Sequence, residues 1–111
     1  MKTPERGDLI VMDFDPQVGH EQMKRRPALV LSSAEFNAAF KIAYVAPITT
    51  KPRGNAFEVP LPQGLRIKGA ILMSQMKSFD WRGRRARFAG RVSPAIVATA
   101  TEIVKVILEG E

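Results

Sequence analysis

The strongest constraint on this chain is a change of hydrophobic period near residue 92. Before that point, apolar residues come in short runs of four to eight, cut apart by proline, glycine and polar clusters. Such runs suit short strands and leave no room for long helices. After it, Ile96, Val97, Ala100, Ile103, Val104 and Ile107 recur at three- and four-residue spacing. That spacing predicts one apolar helix face. Ser93 stands in place to cap the helix, Pro94 occupies its first turn, and Gly110 marks its end. The β-branched residues weaken its intrinsic propensity, so packing must hold it.

The runs place strands at residues 9–14, 27–32, 41–48, 56–61 and within 65–76, mainly 70–74. Pro60 puts the end of the fourth at an edge. Ser32 or Ser33 is positioned to cap a short helical turn through Asn37. Residues 15–25 read as a long polar surface loop, a common place for function. Residues 49–55 form a turn-rich connection with Pro52 and Gly54. Residues 78–83 read as a turn or one-turn helix, and residues 84–92 as a basic strand pair or ribbon. Five or more short strands and one terminal helix predict a mostly β, strongly curved antiparallel domain. The pattern does not choose between an SH3-like and an OB-type barrel.

At 111 residues the chain suits one domain spanning 1–111. So small a domain gains from dimerisation, because it buries a modest fraction of its surface. With no cysteine and a single histidine, His20, thiolate chemistry and histidine-rich metal sites are excluded. No clustered carboxylate set stands out, so no metal and no cofactor is expected. The start does not read as a signal peptide and no run is long enough for a membrane span, so a cytoplasmic protein is expected. Lys and Arg total 17 against 11 Asp and Glu, for a net charge of +6. That balance favours a polyanionic partner. The charge is concentrated at Lys24, Arg25 and Arg26 and at Arg82, Arg84, Arg85, Arg87 and Arg91. An acidic protein segment could use the same surface.

Candidate chemistry lies in the polar gaps between strands. Arg26 opens a strand directly after the long loop, and Thr49 closes the third strand. Brought together, a guanidinium and a hydroxyl can hold a phosphate and stabilise charge growing on it. RNA then needs little else, because its 2′-OH is an internal nucleophile. The same residues could equally be a surface arginine and a turn threonine. His20, beside Glu21 and Gln22, has the right intrinsic pKa for proton transfer, or is simply solvated. Phe79 and Trp81 sit next to Arg82, Arg84 and Arg85. They either stack bases or close the core or a dimer contact. The glycines form no phosphate-cradling motif.

Several strings, in order and spacing, resemble the MazF/PemK family of toxin endoribonucleases. They are RGDLI at 6–10, DFDP at 13–16, GHEQ at 19–22, RRPALVLS at 25–32, Phe36-Asn37, PITTK at 47–51, FEVPLP at 57–62 and SQMKSFDWRGR at 74–84. The resemblance spans residue 6 to about residue 108. It implies an SH3-like (CcdB/PemK-type) small β-barrel with a C-terminal α-helix, acting as a homodimer. It implies metal-independent cleavage of single-stranded RNA, leaving a 2′,3′-cyclic phosphate and a 5′-OH. The implied partner is an antitoxin with an acidic, disordered C-terminal segment.

By this matching the family's key arginine falls on Arg26 and its key threonine on Thr49, while His20 and Glu21 are further catalytic candidates. Gln22, Asn37, Thr50, Gln75 and Lys77 fall in the RNA groove, and the neighbouring Lys24, Arg25, Lys51 and Arg84 join them as RNA-binding candidates. Ser74 stands where the family commonly has aspartate, which favours a mechanism resting on Arg26 and Thr49. Met12 stands where many members have tryptophan, and residues 52–56 lie in a variable connection. The alternatives are a non-catalytic poison of DNA gyrase sharing this barrel, or a barrel module that binds without cutting.

Overall fold

The computed structural model describes residues 1–14 and 25–110. Seven strands appear among them: β1 (Asp8–Asp13), β2 (Arg25–Val30), β3 (Ala43–Thr49), β4 (Glu58–Pro60), β5 (Ala70–Leu72), β6 (Lys77–Phe79) and β7 (Arg87–Arg91). Two helices accompany them, α1 (Ala34–Phe40) and α2 (Pro94–Glu109). The strands pair antiparallel in the order β4-β5-β3-β2-β1-β7, and β6 also pairs with β3. The mostly β, barrel-like architecture with a terminal helix is the one the sequence predicts.

Alternation along the central strands splits the core in two. Ile10, Met12, Ala28, Val30 and Val45 face one cluster with Phe14, Phe79 and Trp81. Leu9, Leu29, Ala46 and Ile48 face the other, with Ile71 and Met73. Ile96, Val97, Ile103 and Val104 of α2 pack on this second cluster. Both faces of β1 and β2 are therefore covered, which explains their near-continuous apolar runs. Both helices start as the sequence indicates. Ser33 Oγ accepts from Phe36 N at 3.2 Å, and Ser93 Oγ from Ile96 N at 3.4 Å.

Three local expectations change. The strand expected through residue 74 ends at Leu72, and Met73–Gln75 forms a 3-10 turn. Ser78 and Phe79 lie in β6, because that segment finds an open edge on β3. The expected basic ribbon is one strand, β7. The residues before it spend their backbone groups in a tight turn: Arg84 N donates to Asp80 O, Arg85 N to Arg82 O and Ala86 N to Trp81 O. Arg85 adopts φ 55° there.

Asn37, expected in an RNA groove, is wholly buried. Its Nδ2 donates to Pro4 O at 2.9 Å and to Ser32 O at 3.1 Å, and its Oδ1 accepts from Ser32 Oγ at 2.5 Å. Its carbonyl accepts from Trp81 Nε1 at 3.3 Å. A buried amide tying four segments has no donor left to offer RNA. It holds the N-terminal arm, the end of β2 and α1 together. We expect Asn37→Ala to lower stability by about 1–3 kcal/mol, because it leaves Pro4 O and the Ser32 hydroxyl with unmet hydrogen bonds in the interior. Urea denaturation reads this directly, and an unchanged midpoint would remove the assignment.

Candidate active site

The site is built by register. β2 and β3 pair through Ala28–Pro47, Leu29–Ala46 and Val30–Val45. Continued by two residues, that pairing would set Arg26 opposite Thr49. Alternation puts both on the face that carries Ala28, Val30 and Val45. Lys77 of β6, opposite Val45, shares that face. Arg26 and Thr49 are both half-buried, so each keeps a path to solvent. The Arg26 guanidinium lies 6.0 Å from the centre of the Phe14 ring. Phe14 itself packs on Phe79, ring centres 4.7 Å apart.

Thr49 is held from behind. Gly69 lies against its backbone with φ +123°, and a Cβ there would sit 2.0 Å from Thr49 O. Only glycine permits this approach. In front, Thr49 Oγ1 accepts from Lys51 N at 3.1 Å. That bond occupies a lone pair and leaves the hydroxyl proton to donate elsewhere. Thr50 and Lys51 are exposed at the start of the following connection. The Glu58 carboxylate shapes that connection by accepting from Arg53 N and Gly54 N, at 3.1 and 2.7 Å. Those bonds, the one from Arg53 N foremost, outweigh the cost of burial and hold the Glu58 carboxyl below its ordinary pKa.

Arg25 and Arg84 stand apart from the other expected RNA-binding residues. Arg25 spends its guanidinium inside the protein, on Asp13 Oδ1 at 2.9 Å, Val11 O at 3.0 Å and Arg85 O at 2.8 Å. Arg84 donates to Phe14 O at 2.9 Å and lies 5.0 Å from the Phe79 ring centre. Their visible work is to pin the two ends between which residues 15–24 run. Gln75 and Lys77 are exposed. His20, Glu21, Gln22 and Lys24 lie outside the described residues. Phe79 and Trp81 are buried, which settles them as core residues rather than stacking platforms.

Asp13 is the residue the sequence reading passed over. It is buried at the end of β1, and bonds Arg25 and Arg85 at 2.9 Å each. Burial alone would raise its pKa. The hydrogen bond from Arg25 and the charges of Arg85 and Arg25 outweigh that and lower it below the ordinary carboxylate value. Gly69 and Phe14 were missed as well. A glycine between Lys68 and Ala70 signals only that some close approach or turn is required, not where.

What remains among the described residues is a set of exposed or half-buried cations, Arg26, Lys51 and Lys77, with the Thr49 and Thr50 hydroxyls near them in sequence. It can grip a phosphodiester. Among the described residues, no three histidine or acidic side chains gather as a metal site would require. Also among them, no helix is long and apolar enough to cross a membrane.

Known proteins share both the fold and the sequence. A chain of the crystal structure of MazE-MazF (Form-II) from Deinococcus radiodurans matches with a TM-score of 0.91 and 37% identity, covering 98% of each chain. The endoribonuclease toxin MazF of Escherichia coli (strain K12) is 44% identical over 92 residues, 83% of this chain and 82% of that protein. The endoribonuclease toxin ChpB of the same strain is 37% identical, over 95% of this chain and 94% of its own. The fold is therefore that of the MazF-type toxin class. Residues 5–108 match the sequence model of the PemK-like, MazF-like toxins of type II toxin–antitoxin systems, and the chain belongs to that family.

Asp13 supplies a test with a definite sign. A carboxyl whose pKa is lowered by folding stabilises the fold above the unfolded value, near 3.9, and loses that contribution as pH falls through the folded value. Melting temperature is expected to be flat near neutrality and to fall below about pH 4. Asp13→Asn should melt lower at pH 7 and show a shallower acid fall. A variant whose melting curve follows the wild type at every pH would contradict the anchor.

Proposed function

We propose that this protein cuts single-stranded RNA by directing the 2′-OH against the adjacent phosphate, with Arg26 and Thr49 as the central pair. As a member of its family it is an endoribonuclease toxin of a toxin–antitoxin system. The observation that supports the finer reading is the β2–β3 register, which ends at Ala28–Pro47 and, carried on by two residues, would set Arg26 across from Thr49 on one face.

In this mechanism the 2′-oxygen attacks phosphorus and the bond to the 5′-oxygen breaks. The products are a 2′,3′-cyclic phosphate and a 5′-OH. Arg26 grips the non-bridging oxygens and stabilises their growing charge. A guanidinium keeps its protons in proteins, so its part here is to clamp rather than to act as a base. The free proton of Thr49 is donated to the same phosphate. The proton leaving the 2′-OH is taken up by His20 or Glu21, and one is returned to the departing 5′-oxygen. No metal is required, because the guanidinium supplies the positive charge. Gln22, Lys24, Thr50, Lys51, Gln75 and Lys77 contact flanking nucleotides. Residues 15–24 and the connection after Thr49 confer base selectivity, with messenger RNA in the cytoplasm as the substrate pool.

The active form is a homodimer. Tyr44 and the α2 residues Val106, Ile107 and Leu108 are exposed. A groove of about 480 Å³ between β3 and α2 is lined by Leu31, Tyr44, Met76, Val104 and Leu108. An acidic, disordered antitoxin segment is the partner that the basic surface fits.

Purified protein incubated with a long defined RNA in EDTA is expected to give 2′,3′-cyclic phosphate and 5′-OH ends at discrete positions. Arg26→Ala should slow that cleavage by about 10²- to 10³-fold or more while the fold is retained. Wild-type rates from the folded variant, or activity that disappears in EDTA and returns with magnesium, would overturn the mechanism.

A further inference from the structure

A second cationic surface lies on the far side of β1 from Arg26. β7 is the last strand in the sheet order, and Arg87 and Phe88 pair with Val11 and Ile10. Phe88 is 57% exposed, unusual for a phenylalanine in a strand. Beside it, Met1, Arg82, Arg85 and Arg87 rim an open cavity of about 540 Å³ floored by Trp81 and Ala86. Trp81 and Ala86 are buried, whereas Arg82, Arg85 and Arg87 are exposed.

The charge there is not cancelled. Asp13 is shared between Arg85 and Arg25, and it meets only the Nε of Arg85. The Arg85 side chain is still 70% exposed, so its terminal nitrogens reach solvent. Asp80 turns an oxygen to Gly83 N at 2.9 Å, and Asp8, on the other side of Phe88, is paired with Arg91. Arg82 and Arg87 form no ion pair among the described residues.

We propose that Phe88, with Arg82, Arg85 and Arg87, forms a second binding site for single-stranded RNA that holds the strand beyond the cut. An exposed aromatic face takes a base of any identity, and flanking guanidinium groups take phosphates. An acidic peptide would use the arginines but gain less from an open aromatic ring. Only β1 separates β7 from β2, so the two strands lie about 10 Å apart at the usual spacing. A strand gripped at Arg26 needs only a few nucleotides to reach Phe88. This site rests on the RNA-cleaving reading and adds to it: Arg26 and Thr49 set chemistry, and Phe88 sets affinity for longer RNA.

The test compares a short RNA that covers only the cut site with the same RNA extended on both sides. Phe88→Ala should raise KM for the extended RNA about tenfold. The value for the short RNA and kcat for both should stay as in wild type. Arg82→Ala with Arg87→Ala should reduce the slope of log affinity against log salt by about 1.4, at about 0.7 per phosphate contact. Binding of an uncleavable, 2′-deoxy-substituted extended strand is measured in parallel. Phe88-dependent binding of that strand by a protein that cuts nothing would keep this site and remove the nuclease reading. Equal effects on short and extended RNA, or no effect on either, would overturn the site. So would a Phe88→Ala protein that loses only a poly-glutamate peptide, or one that becomes monomeric where wild type is dimeric.

Discussion

The chemistry proposed for this molecule depends on the antiparallel register between β2 and β3. A slip of one residue would send Arg26 to the opposite face of the sheet from Thr49. The register is fixed by burial on both faces. Ala28 and Val30 pack into one core, Leu29 and Ala46 into the other. Moving either strand by one position would turn its residues from one core to the other. The two cores that stabilise the fold are thus what aligns the site.

Phe14 and Arg25, the described residues on either side of 15–24, are fastened by a second device. Asp13 gathers Arg25 and Arg85, while Arg84 holds the carbonyl of Phe14. A basic segment that looked like a uniform polyanion surface is divided in two by this arrangement. Arg25 and Arg84 serve the scaffold, and Arg82 and Arg87 remain at the surface. Charge counting could not separate them, because the distinction depends on which arginines reach buried oxygens.

Much of the fold was legible in the chain. The period change at residue 92, the capping serines and Pro94 located both helices, since capping chemistry is local. The central strands were legible for the same reason, as runs that must be buried on both faces. β6 was not, because Ser78 and Phe79 become a strand only where β3 offers an edge, some thirty residues away in sequence. Asn37 misled for a related reason. Its side chain type suits a groove, but Pro4 and Ser32 converge on it only in the folded chain. At the site, Arg26 and Thr49 were named from the residues and from family resemblance, whereas Gly69 and Asp13 were not. Both act through backbone proximity or a buried pair that no spacing announces.

The central claim is that Arg26 and Thr49 work as one unit on one phosphate. A double-mutant cycle with Arg26→Ala and Thr49→Val, read as kcat/KM on a defined RNA, tests it most directly. Residues that act together lose their function together, so the double variant is expected to be about as slow as the worse single variant. Losses that simply multiply would show two residues acting independently, and would contradict the account.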